Sequence, residues 1–131
     1  MIYGIGTDLV AQKRVDASLK RFGDRLLRRI LTERELTQLA ARPRSDAQFI
    51  RFVAQRLAAK EAFSKALGTG IRQGVGWRDA GITNEPSGKP LLHVSTAMQK
   101  RLQDLEIVGM QVSLSDEAGL TVAVVILEKA P

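Results

Sequence analysis

The residues of this chain best placed to do chemistry lie in Arg56-Leu57-Ala58-Ala59-Lys60-Glu61-Ala62-Phe63-Ser64-Lys65, where four charges interrupt an apolar run. From Phe49 to Leu67 there is no Pro or Gly, and Gly68 follows, which predicts a helix over that span. Projected at about 100° per residue, Ile50, Phe52, Val53, Leu57, Phe63 and Leu67 fill one broad arc, and Arg56 and Lys60 fall in its middle. Burying an unpaired charge costs several kcal/mol, so both cations call for an anion, either an acidic neighbour or a bound phosphate. Glu61 and Lys65, four residues apart, point toward the small Ala54/Ala58 side, where a backbone or a ligand can approach closely. The other reading of the same residues is an interface helix whose charges pair with another element.

A second carboxylate, Asp8, follows Gly4-Ile5-Gly6-Thr7, small residues that would let a ligand or metal come near the backbone. Asp8 and Glu61 together could hold Mg²⁺, which takes only one or two protein carboxylates and fills its shell with water and substrate phosphates. Arg56, Lys60, Lys65 and the turn residue Lys89 could neutralise the rest of a polyphosphate. The chemistry such a set supports is phosphoryl transfer, where positioning and charge neutralisation do most of the work.

Other chemistries find little here. The chain has no cysteine, which removes thiolate metal sites, disulfides and cysteine catalysis. His93, the only histidine, sits in the alternating segment Leu91-Leu92-His93-Val94 and reads as structural. Gly68-Thr69-Gly70 lacks the Gly-Lys-Ser/Thr of a phosphate loop and lies at a helix C-terminus, the wrong dipole end for an anion.

The elements that must position these groups read in order. Met1 to Val10 is a strand, and Gln12 to Ile30 is helical with an interruption at Gly23. Thr32 to Ala41 is a short helix with Thr32 as N-cap and Glu35 three residues on. After the long helix and a Gly-rich loop, Trp77 to Thr83 and Pro90 to Val94 read as strands around an Asn84–Lys89 turn, and Thr96 to Leu105 as a helix. Gln111 to Ser115 and Leu120 to Leu127 form a hairpin over Asp116-Glu117-Ala118-Gly119. The sum is α+β: a helical half and a mainly antiparallel half around one core, with residues 1–131 as a single domain.

Charge is uneven. The net value is +6, yet residues 1–65 carry 14 Lys and Arg against 7 Asp and Glu, whereas residues 66–131 carry 6 against 7. Within Gln12–Ile30, Val15, Leu19, Phe22, Leu26 and Ile30 share one side, and Arg14, Arg21, Arg25 and Arg28 form a stripe beside them. Arginines in a row suit planar capture of carboxylates on an acidic surface; the plainer reading is a solvated basic face. No Gly/aromatic RNA-binding pattern or zinc-finger spacing is present, and aromatics are 5%, so nucleic acid is left only bulk charge. No run reaches the length of a membrane span and no signal-peptide pattern opens the chain, so the expectation is a cytoplasmic protein without a membrane partner.

Gly4-Ile5-Gly6-Thr7-Asp8-Leu9-Val10, the run from Arg56 to Ile71 and Gly88-Lys89-Pro90 together resemble the small bacterial phosphopantetheinyl transferases that act as holo-acyl-carrier-protein synthases. The resemblance spans Met1 to Glu128. It implies the 4′-phosphopantetheinyl transferase fold and transfer of the 4′-phosphopantetheine arm from coenzyme A to a serine of apo-acyl carrier protein, releasing adenosine 3′,5′-bisphosphate. By that likeness Asp8 and Glu61 ligate Mg²⁺, and Glu61, directly or through a metal-bound water, takes the serine proton. Lys65 stabilises the transferring phosphoryl group. Arg56, Lys60, Lys89, Pro90 and the Gly68-Thr69-Gly70 backbone hold the nucleotide end. The stripe from Arg14 to Arg28 faces the acidic carrier, and the chain assembles as a homotrimer with sites between subunits.

One departure stands out. The family commonly reads Ser-x-Ser-His near the last hairpin, with the histidine close to coenzyme A, where this chain has Ser113-Leu114-Ser115-Asp116. A carboxylate cannot donate a hydrogen bond to phosphate at neutral pH. The candidates for Asp116 are orienting a lysine, orienting a metal-bound water, or capping the hairpin. The alternative to a transferase is a non-catalytic basic module for an acidic protein or nucleic acid, whose polyanion affinity would collapse as salt rises.

Overall fold

A computed structural model describes residues 1–131. In chain order, strand β1 (Ile2–Ala11) leads into helices α1 (Gln12–Phe22), α2 (Asp24–Ile30), α3 (Glu33–Ala40) and the long α4 (Asp46–Leu67). There follow β2 (Ala80–Asn84), β3 (Pro90–Val94), α5 (Thr96–Asp104), β4 (Ile107–Glu117) and β5 (Leu120–Lys129). The fold is α+β, as the sequence implies. Its main sheet is antiparallel in the order β1-β5-β4, and β2 and β3 form a separate antiparallel pair.

Helix α4 is the spine. Ser45 accepts from the Gln48 backbone N–H while the Gln48 side chain accepts from the Ser45 N–H, a reciprocal cap that starts the helix three residues before Phe49. Gly68, at φ 94°, ends it in the left-handed conformation. One side of α4 lies on the sheet, where Ala62, Phe63 and Ala66 meet Ala123, Val125 and Leu127 of β5 in the larger core cluster. The N-terminal half packs Phe52, Val53 and Ala54 against Val15, Ile30 and Leu31.

The glycines of β1 are small for that helix, not for a ligand. A Cβ on Gly4 would collide with the Ala66 carbonyl oxygen, and one on Gly6 with that of Ala62. A methyl group here can be accommodated only by moving backbone away from backbone. Gly6→Ala is therefore expected to cost about 3 kcal/mol, the upper range of overpacking, read as a lowered urea midpoint at unchanged slope; wild-type stability would refute the contact.

The interruption expected at Gly23 is present: Gln12–Ile30 is two helices, because Gly23 takes φ 57° and ψ −136° between them. Three details differ from expectation. Phe22, expected inside, is 44% exposed under Arg21. The strand expected from Trp77 starts at Ala80, since the Asp79 carboxylate accepts from Gly76 N–H and Ser95 Oγ, both at 2.7 Å, and holds a turn. The last hairpin closes on Ala118-Gly119 alone, at φ 53° and 78°, the tight turn that suits strand twist. Asp116 accordingly lies within β4 and caps nothing.

Candidate active site

From Gly4 onward the even-numbered residues of β1 face α4, so Asp8 continues the seam set by Gly4 and Gly6. Glu61 leaves α4 beside Ala62, whose carbonyl Gly6 touches. Asp8 and Glu61 thereby line one cleft of about 290 Å³, with Arg14 and Ser18 from α1 and a largely apolar wall that includes Val15, Leu26 and Leu57. Lys65, one turn beyond Glu61, donates to the Thr7 carbonyl at 3.0 Å and to Asp8 Oδ1 at 3.2 Å. Partial burial, and then the negative charge of Asp8, push the Glu61 carboxyl above the ordinary carboxylate value; Lys65 opposes them.

The donor set fits Mg²⁺. Nowhere do three or more Asp, Glu, His or Cys side chains cluster, so the protein offers a pair of carboxylates and no cage, which is how Mg²⁺ binds when substrate phosphates complete its shell. The repulsion between Asp8 and Glu61 is of the kind a cation relieves.

The cations expected at the nucleotide end lie elsewhere. Arg56 is 3% exposed and has no carboxylate partner: its guanidinium donates to Gln55 Oε1 at 3.1 Å and to Gln38 Oε1 and Asn84 Oδ1 at 3.0 Å. Its Nε is buried without a partner, and its plane lies 3.7 Å over the Phe52 ring. Burial, foremost, and nearby Arg44 lower its pKa to about 10 against the pull of Glu35. Arg56 forms part of a cleft of about 650 Å³ shared with Arg42, Arg44 and Arg51. A buried cation held only by amide oxygens, amid three further arginines, has the charge and donors that suit a phosphate. Sequence reasoning gave Arg42, Arg44 and Arg51 no binding role; the available signal was the pair of arginines flanking Pro43.

Glu61 and Arg56 are five residues apart, hence roughly 140° around the helix at about 100° per residue. Their two clefts share no residue. One chain therefore does not bring the carboxylates and the arginine cleft together.

Lys60 departs from its expected role. It is 1% exposed, and its ammonium donates to Glu35 Oε1 and to the Ala80 carbonyl, both at 2.6 Å. Burial pushes its pKa down while Glu35 pulls it back up. The anion its position demanded is internal, and Lys60 cannot reach a nucleotide. Glu35 also accepts from Thr32 N–H and Ile82 N–H at 2.9 Å, joining α3, α4 and β2. His93 packs beside this node, with Nε2 2.9 Å from Thr32 Oγ1. Gly81 has no side chain because one would strike His93 and Glu35.

The remaining assignments divide. The amides of Gly68, Thr69 and Gly70 all turn back to the Ser64 carbonyl at 3.1 to 3.2 Å, so those donors serve the helix end and are not free for phosphate. Lys89 and Pro90 line an adjoining cleft with Ser113 that shares Gln55, Asn84 and Gly88 with the arginine cleft. Arg14 reaches the carboxylate cleft, while Arg14, Arg21, Arg25 and Arg28 are all exposed, two on each side of the Gly23 break.

An acid pair with a lysine on one face of the central helix, and a buried guanidinium among arginines on another, define a transferase that handles a polyanionic phosphate substrate. Residues 4–124 fit the 4′-phosphopantetheinyl transferase superfamily, and the chain belongs to it. It is 45% identical to a holo-[acyl-carrier-protein] synthase of Nitrobacter hamburgensis, covering 97% of this chain and 94% of that one. The crystal structure of the holo-[acyl-carrier-protein] synthase of Neisseria meningitidis superposes with a TM-score of 0.88 at 43% identity, over 98% of this chain and 100% of that one. A holo-(acyl-carrier-protein) synthase of Bacillus anthracis in complex with CoA (3′,5′-ADP) matches at TM-score 0.80 and 38% identity, over 99% of each chain.

Proposed function

We propose that residues 1–131 form one transferase domain that moves 4′-phosphopantetheine from coenzyme A to a serine of apo-acyl carrier protein. The single observation that carries the mechanism is the pairing of Asp8 and Glu61 beside Lys65 at the mouth of an apolar cleft, in a chain 45% identical to a holo-[acyl-carrier-protein] synthase. The serine oxygen bonds to the pantetheine-side phosphorus as the bond to the adenosine 5′-phosphate oxygen breaks, and adenosine 3′,5′-bisphosphate leaves. Glu61, held above the ordinary carboxylate pKa, accepts the serine proton, and Lys65 meets the charge that builds on the phosphoryl oxygens. Mg²⁺ bound by Asp8 and Glu61 would neutralise the pyrophosphate. Arg44 and Arg56 hold the nucleotide's phosphates.

Because carboxylates and arginines occupy different faces of α4, a complete site takes one face from each of two copies, in a homotrimer. The outward face of the sheet supports this. Ile5 and Leu9 are each 59% exposed and neighbour Ile126 and Val122 across the register, an apolar stripe that a further copy would cover. The carrier docks on the exposed arginines at positions 14, 21, 25 and 28, beside Phe22. No helix is long and apolar enough to cross a membrane, and we place the reaction in the cytoplasm with its donor.

Intact-mass spectrometry of apo-acyl carrier protein with this protein, coenzyme A and Mg²⁺ tests the reading. The expected result is a gain of one phosphopantetheine, lost on chelation. Coenzyme A binding that persists at moderate salt with no mass gain on any carrier would instead point to a binding module.

A further inference from the structure

The carboxylate of Asp116 is tied into the arginine cleft by a directed chain of hydrogen bonds. Thr121, fully buried on β5, donates its hydroxyl to Asp116 Oδ1 at 2.6 Å, and Gln12 Nε2 lies 3.3 Å from that hydroxyl. The other carboxylate oxygen, Oδ2, accepts from Gln55 Nε2 at 2.6 Å. Gln55 then presents Oε1 to the Arg56 guanidinium at 3.1 Å.

The polarity of this chain is fixed by chemistry. An amide can face either way, but an ionised carboxylate only accepts, so Asp116 forces the NH₂ end of Gln55 toward itself. That leaves the amide oxygen for Arg56. Reversed, Gln55 would set a donor against a donor, and one edge of a buried guanidinium would lose its acceptor. Asp116 thus fixes the acceptor end of Gln55 on Arg56 without itself touching the guanidinium.

We infer that Asp116 is a positioning residue for the nucleotide end of coenzyme A: through Gln55 it holds Arg56 in the orientation that receives phosphate. The inference rests on the reading that the arginine cleft takes the nucleotide. It makes a prediction opposite to simple electrostatics, in which removing an acid beside a polyanion site tightens binding.

Asp116→Asn, Gln55→Leu and the double variant would be titrated with adenosine 3′,5′-bisphosphate, beside Arg44→Ala. Asp116→Asn is expected to weaken binding about 5- to 10-fold, the effect of roughly one weakened hydrogen bond. KM for coenzyme A should rise in parallel while kcat stays within about twofold, a split that general loosening of the fold would not give. In the Gln55→Leu background the same change should add nothing, because the connecting amide is gone. Unchanged or tighter binding in Asp116→Asn overturns the inference, and so does an equal loss with and without Gln55, which would mean direct contact. If Arg44→Ala binds the nucleotide like wild type, the cleft assignment itself is wrong and the inference falls with it.

Discussion

Glu61→Gln is expected to slow phosphopantetheine transfer by about 10²- to 10⁴-fold, the range general-base groups contribute. The glutamine keeps the size and one acceptor oxygen but can neither take the serine proton nor offer charge to a cation. Single-turnover mass spectrometry at saturating coenzyme A and carrier isolates the chemical step, and a loss of less than about tenfold would remove Glu61 from the base role. The variant is expected to stay folded, because wild type carries a cost there. Burial and Asp8 raise the Glu61 pKa, so its contribution to stability is greatest in acid and is lost as pH rises through that raised value. In the absence of divalent cation, Glu61→Gln should unfold no earlier than wild type at neutral pH. Addition of Mg²⁺ should raise the wild-type unfolding temperature and leave Glu61→Gln nearly unmoved.

Glu35→Ala has the largest effect expected on stability, about 3 to 5 kcal/mol, the cost of leaving a buried charge without its partner. For a chain of this size that corresponds to a fall of about 10 to 20 °C in unfolding temperature. The change strands the Lys60 ammonium at 1% exposure and also removes the acceptor for Thr32 N–H and Ile82 N–H. Glu35→Leu with Lys60→Met should recover part of the loss, since it deletes the charges together. A double variant no better than Glu35→Ala would shift the weight from the ion pair to the backbone donors. The neighbouring His93 adds a pH dependence of defined sign. Burial first, then Arg34, hold its pKa at about 4 against an ordinary 6.5, with Glu35 opposing. The unfolded chain takes up a proton the folded ring refuses, so stability is lost as pH falls from about 6.5 through about 4. His93→Asn should flatten that limb.

Much of this molecule is written in local sequence. The Thr32/Glu35 cap, the stop at Gly68 and the break at Gly23 appear where turn and cap chemistry put them, because such signals act within a few residues. The long helix was legible too, except its first turn: the Ser45/Gln48 cap lies before the span from Phe49 to Leu67 that the sequence predicts as helix. The sequence also showed that Arg56 and Lys60 sit where cations need compensation.

What compensates them is a tertiary fact. Glu35 was visible only as a cap, and nothing local says that α3 folds back so that the same carboxylate neutralises Lys60, while Arg56 meets only amide oxygens. The β1 glycines had the same ambiguity: small residues announce close approach without naming what approaches, and here it is the backbone of α4. The two faces of α4 likewise look continuous in a helical projection, yet the sheet, α1 and α2 enclose Glu61, whereas α3 and the β2–β3 turn flank Arg56. Composition and spacing determined which groups this protein has for phosphate chemistry. Only packing decided which of them are spent inside the fold and which remain for a substrate, because that depends on partners brought together across long sequence separations.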